Sequence, residues 1–145
     1  MRKTRKLALG LLAVALATAC TDNGVFNPLN NASGTYTLTV YQGRSIPATF
    51  TTFIVTGGTL VLSNNGNFSE TNNFSDRSTG QASQFVSQGS WTLNGDQLSL
   101  FAPPQNGDSQ RNISGTLDFD ANNVATVSYT EVDNNGVLQS YEYKR

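Results

Sequence analysis

Thr-Tyr-Thr-Leu-Thr-Val at residues 35–40 alternates threonine with large apolar side chains. In an extended chain successive side chains point to opposite faces, so Tyr36, Leu38 and Val40 share one face. The pattern predicts a β-strand that buries this face and leaves the threonines in solvent. Further stretches of strand-like sequence follow at roughly even spacing, at 48–56, 59–63, 67–74, 84–93, 97–102, 112–119, 124–132 and 137–144.

Short turns connect most of these stretches. Asn65-Gly66, Asn94-Gly95 and Asn135-Gly136 are dipeptides that hairpins favour, because Asn and Gly accept positive φ angles at little cost. Beyond residue 20, no stretch shows a helical period over a useful length. We therefore predict an all-β fold, a single antiparallel up-and-down β-barrel of about eight to nine strands, with a two-sheet β-sandwich as the alternative.

The strand and turn motifs resemble those of lipocalin-like barrels, the calycin type that many bacterial lipoproteins carry. The resemblance lies in Gly-Thr-Tyr-Thr-Leu at 34–38 and in Gly-Ser-Trp-Thr-Leu-Asn-Gly-Asp-Gln-Leu-Ser-Leu at 89–100. Calycins typically carry Gly-x-Trp on the first strand, and a basic residue from the end of the barrel packs on the ring. Here Tyr36 replaces the tryptophan, and the resemblance implies that Lys144 or Arg145 supplies the cation.

The first twenty residues have the organisation of a secretory signal. Basic residues at positions 2–6 precede an apolar run at 7–16, and Ala17-Thr18-Ala19 leads directly into Cys20. The apolar run is shorter than the roughly 20 residues that a membrane-spanning helix needs. We predict a signal peptide at 1–19, a flexible tether at 20–32 and a barrel domain at 33–145.

The junction before Cys20 resembles the lipobox of bacterial lipoproteins. That resemblance implies that Cys20 is lipidated and becomes the mature N-terminus, so that its lipid anchors the protein to a membrane. Thr21, rather than Asp, follows the cysteine. The same resemblance then implies an outer-membrane lipoprotein of the bacterial cell envelope, facing the periplasm or the exterior.

The charge of the predicted mature chain argues against nucleic acid as a partner. Four of the nine basic residues lie in the signal, which leaves five against ten acidic residues and a net charge of −5. Nucleic acid phosphates select for clusters of Lys and Arg, and the mature chain shows no such cluster. We therefore expect no binding to nucleic acid.

The side chains that most often perform catalysis are missing. Histidine is absent, and Cys20 is the only cysteine in the chain. Without them the chain lacks the most frequent general base and the usual zinc ligands. We therefore expect a protein that is not an enzyme and that has no metal site and no cofactor.

The alternation also predicts which side chains point into the barrel. Glu70 shares a face with Phe68 and Phe74, and Phe85 shares one with Trp91. We therefore predict an interior pocket for a small apolar or amphipathic ligand, with a candidate lining of Phe68, Phe74, Phe85, Trp91 and Tyr141. The alternative is a structural or protein-interaction module of the envelope, whose core these side chains fill, with Glu70 near the rim in water.

Overall fold

The structure is a computed structural model that describes residues 31–105, 107–133 and 135–145. The predicted signal peptide, the lipidation site Cys20 and all of the tether except its last two residues lie outside the described residues. In the part of the chain that is described, no helix is long and apolar enough to cross a membrane.

The described chain forms one antiparallel sheet that closes on itself. Its strands are β1 (Gly34–Tyr41), β2 (Arg44–Ser45), β3 (Ala48–Thr49), β4 (Phe53–Leu62), β5 (Asn67–Asp76), β6 (Ala82–Asn94), β7 (Gln97–Ala102), β8 (Arg111–Phe119), β9 (Ala125–Val132) and β10 (Leu138–Lys144). From β4 to β10 each strand pairs with the next, and β1 closes the barrel by pairing with both β4 and β10. The predicted up-and-down barrel is confirmed: it has eight strands, and β2 and β3 are short additions at its edge.

The prediction of two separate strands at 48–56 and 59–63 is wrong. β3 ends at Thr49, and β4 runs unbroken from Phe53 through Gly57-Gly58 to Leu62. Glycine in the interior of a strand weakens it, but here the two glycines do not interrupt the strand. In the barrel they are part of a strand whose register shifts between Val55 and Gly57.

Gly58 shows why this strand contains glycine. A Cβ atom at this position would lie 2.2 Å from Oδ1 of Asn72 and 3.2 Å from Cβ of Leu38. Both distances are shorter than ordinary van der Waals contact, so only glycine leaves the space that the Asn72 side chain occupies. The glycine serves the packing of the interior rather than a turn.

The three predicted Asn-Gly hairpins are confirmed. Gly66, Gly95 and Gly136 follow β4, β6 and β9, and their φ angles are +82°, +64° and +78°. Most other residues adopt such angles with some strain, whereas glycine adopts them freely.

One end of the barrel, which we call the closed end, is filled by side chains. The Arg145 guanidinium lies 5.5 Å from the centre of the Tyr36 ring, and its Nη1 donates a hydrogen bond of 2.7 Å to the Ser33 carbonyl. This confirms the predicted cation on the Tyr36 ring. The Tyr36 hydroxyl donates to the carbonyl of Ala32, which is itself fully buried.

Apolar side chains pack behind this stack. Trp91 is 2% exposed, and its indole N–H donates a 2.9 Å hydrogen bond to the Ser63 carbonyl. A buried indole needs such a partner for its single polar atom. The neighbouring buried side chains are Leu60, Leu62, Phe68, Leu98, Leu117 and Val127.

Candidate functional site

The interior towards the opposite end, the barrel mouth, is polar. Glu70 and Asn72 continue the inward-facing row of β5 beyond Phe68. Glu70 is fully buried and Asn72 is 1% exposed. The expectation that Glu70 lies near the rim in water is therefore wrong. A buried carboxylate is costly unless it is paired and hydrogen-bonded, so the partners of Glu70 decide how this part of the barrel is built.

Glu70 accepts hydrogen bonds from four side chains on three other strands and its own. Its Oε1 accepts from Asn72 Nδ2 at 2.8 Å, from the Tyr143 hydroxyl at 2.7 Å and from the Tyr129 hydroxyl. Its Oε2 accepts from Arg111 Nη1 at 2.9 Å. An ionised carboxylate is the form that accepts at both oxygens and donates nothing, which matches these four donors. We call Glu70, Asn72, Arg111, Tyr129 and Tyr143 the Glu70 cluster.

Arg111 joins the Glu70 cluster to a second carboxylate. Its Nε and Nη2 donate to Glu131 at 3.0 and 2.8 Å in a bidentate pair, while Nη1 faces Glu70. Its guanidinium also lies 4.8 Å from the centre of the Phe85 ring. Burial by itself would lower the pKa of Arg111, but the charges of Glu70 and Glu131 outweigh it and raise that pKa.

The two tyrosines of the Glu70 cluster stay protonated. Burial raises the pKa of Tyr129 and of Tyr143 well above the usual 10, and the nearby charge of Glu70 raises both further. Each hydroxyl therefore keeps the proton that it donates to the carboxylate. Among the described residues, every buried side-chain nitrogen or oxygen has a hydrogen-bond partner, so the hydrogen bonding of the Glu70 cluster is fully satisfied. We call this layer of polar side chains across the barrel interior the polar floor.

A cavity of about 590 Å³ lies above this floor and opens to solvent at the barrel mouth. We call it the mouth cavity. Its size falls in the range of sites that hold a small molecule. The aromatic part of its lining is Tyr41, Phe74, Phe85 and Tyr141, and the charged part is Asp108, Arg111, Glu131 and Asp133. Gln139 and the loop at 108–110 supply further polar groups.

The aromatic wall extends to the segment between β3 and β4. The Tyr41 ring packs edge-on against Tyr141 at 5.2 Å and against Phe50 at 5.5 Å between ring centres. Phe50 in turn stacks on Phe53 at 4.8 Å. The Tyr41 hydroxyl donates to Oε1 of Gln139, which fixes the ring at the edge of the cavity. The wall is thus held by ring contacts and by a buried hydrogen bond.

The structure divides the five predicted lining residues into two groups. Phe74, Phe85 and Tyr141 line the mouth cavity. Phe68 and Trp91 lie in the closed-end core instead, at 3% and 2% exposure, and do not reach the cavity. All five point inward as the alternation predicts, but they lie at different depths along the barrel.

Sequence reasoning missed Tyr41, Arg111, Glu131 and Asp133 as parts of this site. Arg111 could have been recognised, because it begins a strand whose next alternate residue, Ile113, is buried. Arg111 and Glu70 both occupy inward-facing positions of their strands. Two opposite charges at such positions indicate an ion pair inside the barrel. The pairing of Arg111 with Glu131 depends on the neighbouring strand register, which the sequence does not reveal.

The other depressions in the described structure have fewer charged and aromatic groups in their lining than the mouth cavity. A depression of about 410 Å³ at β8 to β10 includes five serine and threonine residues in its lining, and Glu142 is its one charged residue. In the described residues no three or more Asp, Glu, His or Cys side chains come together in a way that could hold a metal ion.

Comparison with known proteins does not assign the chain to a family. No protein-family model matches the chain, and a search of curated proteins finds no significant match.

Proposed function

We propose that this protein is a non-catalytic binding protein that takes one small amphipathic molecule into the mouth cavity. The observation that carries the proposal is the cavity itself, about 590 Å³ in volume, whose lining combines aromatic rings with charged groups. Sites for small molecules combine apolar walls with a few fixed polar groups in this way. An eight-stranded barrel has an interior of the right width for one such ligand.

The polar floor supports this proposal. A filled barrel needs no buried ion pair, since apolar side chains of similar volume would pack there at no electrostatic cost. In this barrel Glu70 and Arg111 form a satisfied network that closes the interior below the cavity. The floor fixes the depth of the cavity and keeps its lining side chains in one arrangement.

Titration calorimetry of the purified full chain with 2-(1-naphthyl)ethanol, a neutral amphipathic probe, tests the proposal. We expect saturable binding of one molecule per chain. Phe85→Ala should weaken it about tenfold, because the variant removes one aromatic wall of the cavity. Val86→Ala is the matched control, since Val86 is the next residue on β6 and lies on the outer face at 36% exposure.

Two results would contradict the binding proposal. One is the absence of saturable binding to the wild-type chain, and the other is equal binding by Phe85→Ala and the wild type. Either result favours the structural or interaction module. Its contact surface would then include the tip between β9 and β10, where Val132, Val137 and Leu138 are 64%, 50% and 62% exposed.

We further propose that the barrel is held at a bacterial outer membrane by a lipid on Cys20. The support is the sequence around Cys20, which follows a basic segment, an apolar run and small residues. Replacing Cys20 by Ser should move the protein from the membrane fraction to the soluble fraction, because it removes the site of the lipid. Thr21→Ser is the control and should stay with the membrane; retention of the Cys20→Ser variant after a salt wash would contradict the anchor.

A further inference from the structure

We propose that the mouth cavity selects an organic cation, a small molecule that carries a protonated amine next to an apolar group. This inference rests on the proposed binding function and names the ligand class of that same cavity. It comes from the charges that face the cavity and from the rings that surround it.

The charges on the cavity wall are mostly negative. Asp108, Glu131 and Asp133 line it, and Arg111 is the one cation among the described lining residues. Arg111 is already engaged, because three of its nitrogens donate to Glu131 and Glu70 at 2.8 to 3.0 Å. Its positive charge lies between two carboxylates and does not leave a free donor pair for an anionic ligand.

The other charged residues near the mouth do not change this balance. Arg44 donates to the backbone carbonyl of Thr49 at the end of β3, at 2.9 Å, and Arg77 donates to that of Phe50 in the following loop, at 3.1 Å. Asp76 accepts from the backbone of Ser78 and Thr79 in the turn after β5. None of these three side chains lines the mouth cavity.

The aromatic wall lies in this negative field. Burial raises the pKa of Tyr141, and the charges of Glu131 and Glu70 raise it further. Burial likewise raises the pKa of Tyr41, to which Asp133 and Glu131 contribute. Both rings are neutral and line the cavity together with the carboxylates, so a cation that enters the cavity meets negative charge beside an aromatic surface.

The same features exclude other ligand charges. A carboxylate or phosphate would meet Asp108, Glu131 and Asp133 without a free cation to receive it. A bare metal ion needs several converging oxygen ligands, and the described residues contain no such group of acidic side chains. A ligand with an ammonium group and an apolar body matches this lining, because its charge can lie near the carboxylates while its apolar body packs against the aromatic rings.

A series of three ligands with one skeleton tests the inference. The probes are 2-(1-naphthyl)ethylamine, 2-(1-naphthyl)ethanol and 1-naphthylacetate, titrated into the full chain at pH 7 and 0.15 M salt. We expect the amine to bind at least tenfold more tightly than the alcohol, and the acetate to bind more weakly than either. Raising the salt concentration should weaken only the amine.

Matched variants locate the charges responsible. Asp133→Asn and Asp108→Asn, singly and together, should reduce the preference for the amine over the alcohol to threefold or less in the double variant. Asp76→Asn is the control, because Asp76 also accepts hydrogen bonds in a hairpin turn at this end of the barrel but does not line the cavity. It should keep the full preference.

The outcomes separate this inference from the binding proposal. If the alcohol binds as tightly as the amine, or the acetate binds best, the cavity binds small molecules but does not select cations. If none of the three probes binds, the binding function itself is overturned. If the double variant and Asp76→Asn lose the preference equally, the selectivity does not come from the cavity carboxylates, and the inference is wrong.

Discussion

At the level of single residues, Glu70 has the largest expected effect on stability. Its carboxylate is fully buried and accepts from Asn72, Arg111, Tyr129 and Tyr143. Glu70→Gln removes the negative charge beside Arg111 and places an amide NH2 group where an acceptor is required. We expect the free energy of unfolding to fall by about 3 kcal/mol, because Arg111 loses one of its two carboxylate partners and the new amide group faces hydrogen-bond donors.

Urea unfolding of Glu70→Gln and of Glu142→Gln measures this effect. Glu142 pairs with Lys144 at 3.1 Å on the surface, where the two side chains are 34% and 50% exposed. Such exposed pairs contribute less than about 1 kcal/mol, so the control should unfold almost as the wild type does. Equal, small changes in the two variants would mean that the Glu70 cluster does not stabilise the barrel.

For single residues, the sequence predicted which side chains point into the barrel better than how far along the barrel they lie. Period-two alternation places Phe85 and Trp91 on one inward face, and both point inward. The alternation carries no information on how far along the barrel each side chain lies, so it could not separate Phe85 at the mouth from Trp91 in the closed-end core. The alternation also could not show that Glu70 is buried. A carboxylate without visible partners is expected at the rim, and the sequence does not show that Arg111 and three polar side chains converge on Glu70.

Among the strands, β6 and β7 approach each other too closely for any side chain at Gly89. A Cβ atom there would lie 1.9 Å from the Phe101 carbonyl oxygen and 2.9 Å from the Ala102 Cα. Both are backbone atoms, so the strands themselves must move apart to accept it. We expect Gly89→Ala to lower the free energy of unfolding by about 2 kcal/mol, as overpacked sites do.

Gly57→Ala is the matched control for this prediction. Gly57 also lies within a barrel strand, and a Cβ atom there would meet nothing within 4 Å. The change should leave the unfolding free energy within about 0.5 kcal/mol of the wild type. The close approach of β6 and β7 would be disproved if both variants unfolded at the same urea concentration.

The elements themselves were largely predictable, and the exceptions have a physical cause. Strands bounded by Asn-Gly turns, such as β6 and β7, were found close to their predicted limits, because turn chemistry and alternation agree there. β4 was divided wrongly at Gly57-Gly58. Gly58 leaves space for the Asn72 side chain on β5, and this contact between strands cannot be read from the local sequence.

At the scale of the whole molecule, the two ends of the barrel have different roles. The chain enters at the closed end, where Ala32 is buried under Tyr36, and the mouth cavity lies beyond Tyr41 at the other end of β1. Eight extended residues separate the two ends by about 25 Å. The described part of the chain therefore begins at the closed end, and the mouth cavity lies at the end away from it.

The tyrosines report on the integrity of the whole barrel. All five tyrosines of the chain, Tyr36, Tyr41, Tyr129, Tyr141 and Tyr143, have a pKa raised above 10, and burial is the largest cause for each. The unfolded chain releases these protons at about pH 10, whereas the folded chain retains them. Their contribution to stability is thus complete below about pH 10 and is lost as the pH rises through the folded values.

We therefore expect tyrosine ionisation and alkaline unfolding to occur together. Absorbance at 295 nm should show less tyrosinate in the folded protein than in the unfolded chain at pH 10.5, and the tyrosines that remain protonated should ionise in the same step that abolishes the circular dichroism of the sheet. The same titration in concentrated urea is the control and should give five tyrosines with a pKa of about 10. Ionisation near pH 10 of a protein that keeps its circular dichroism would show that the mouth tyrosines Tyr41 and Tyr141 are open to water, and the cavity wall would then be less closed than its ring contacts require.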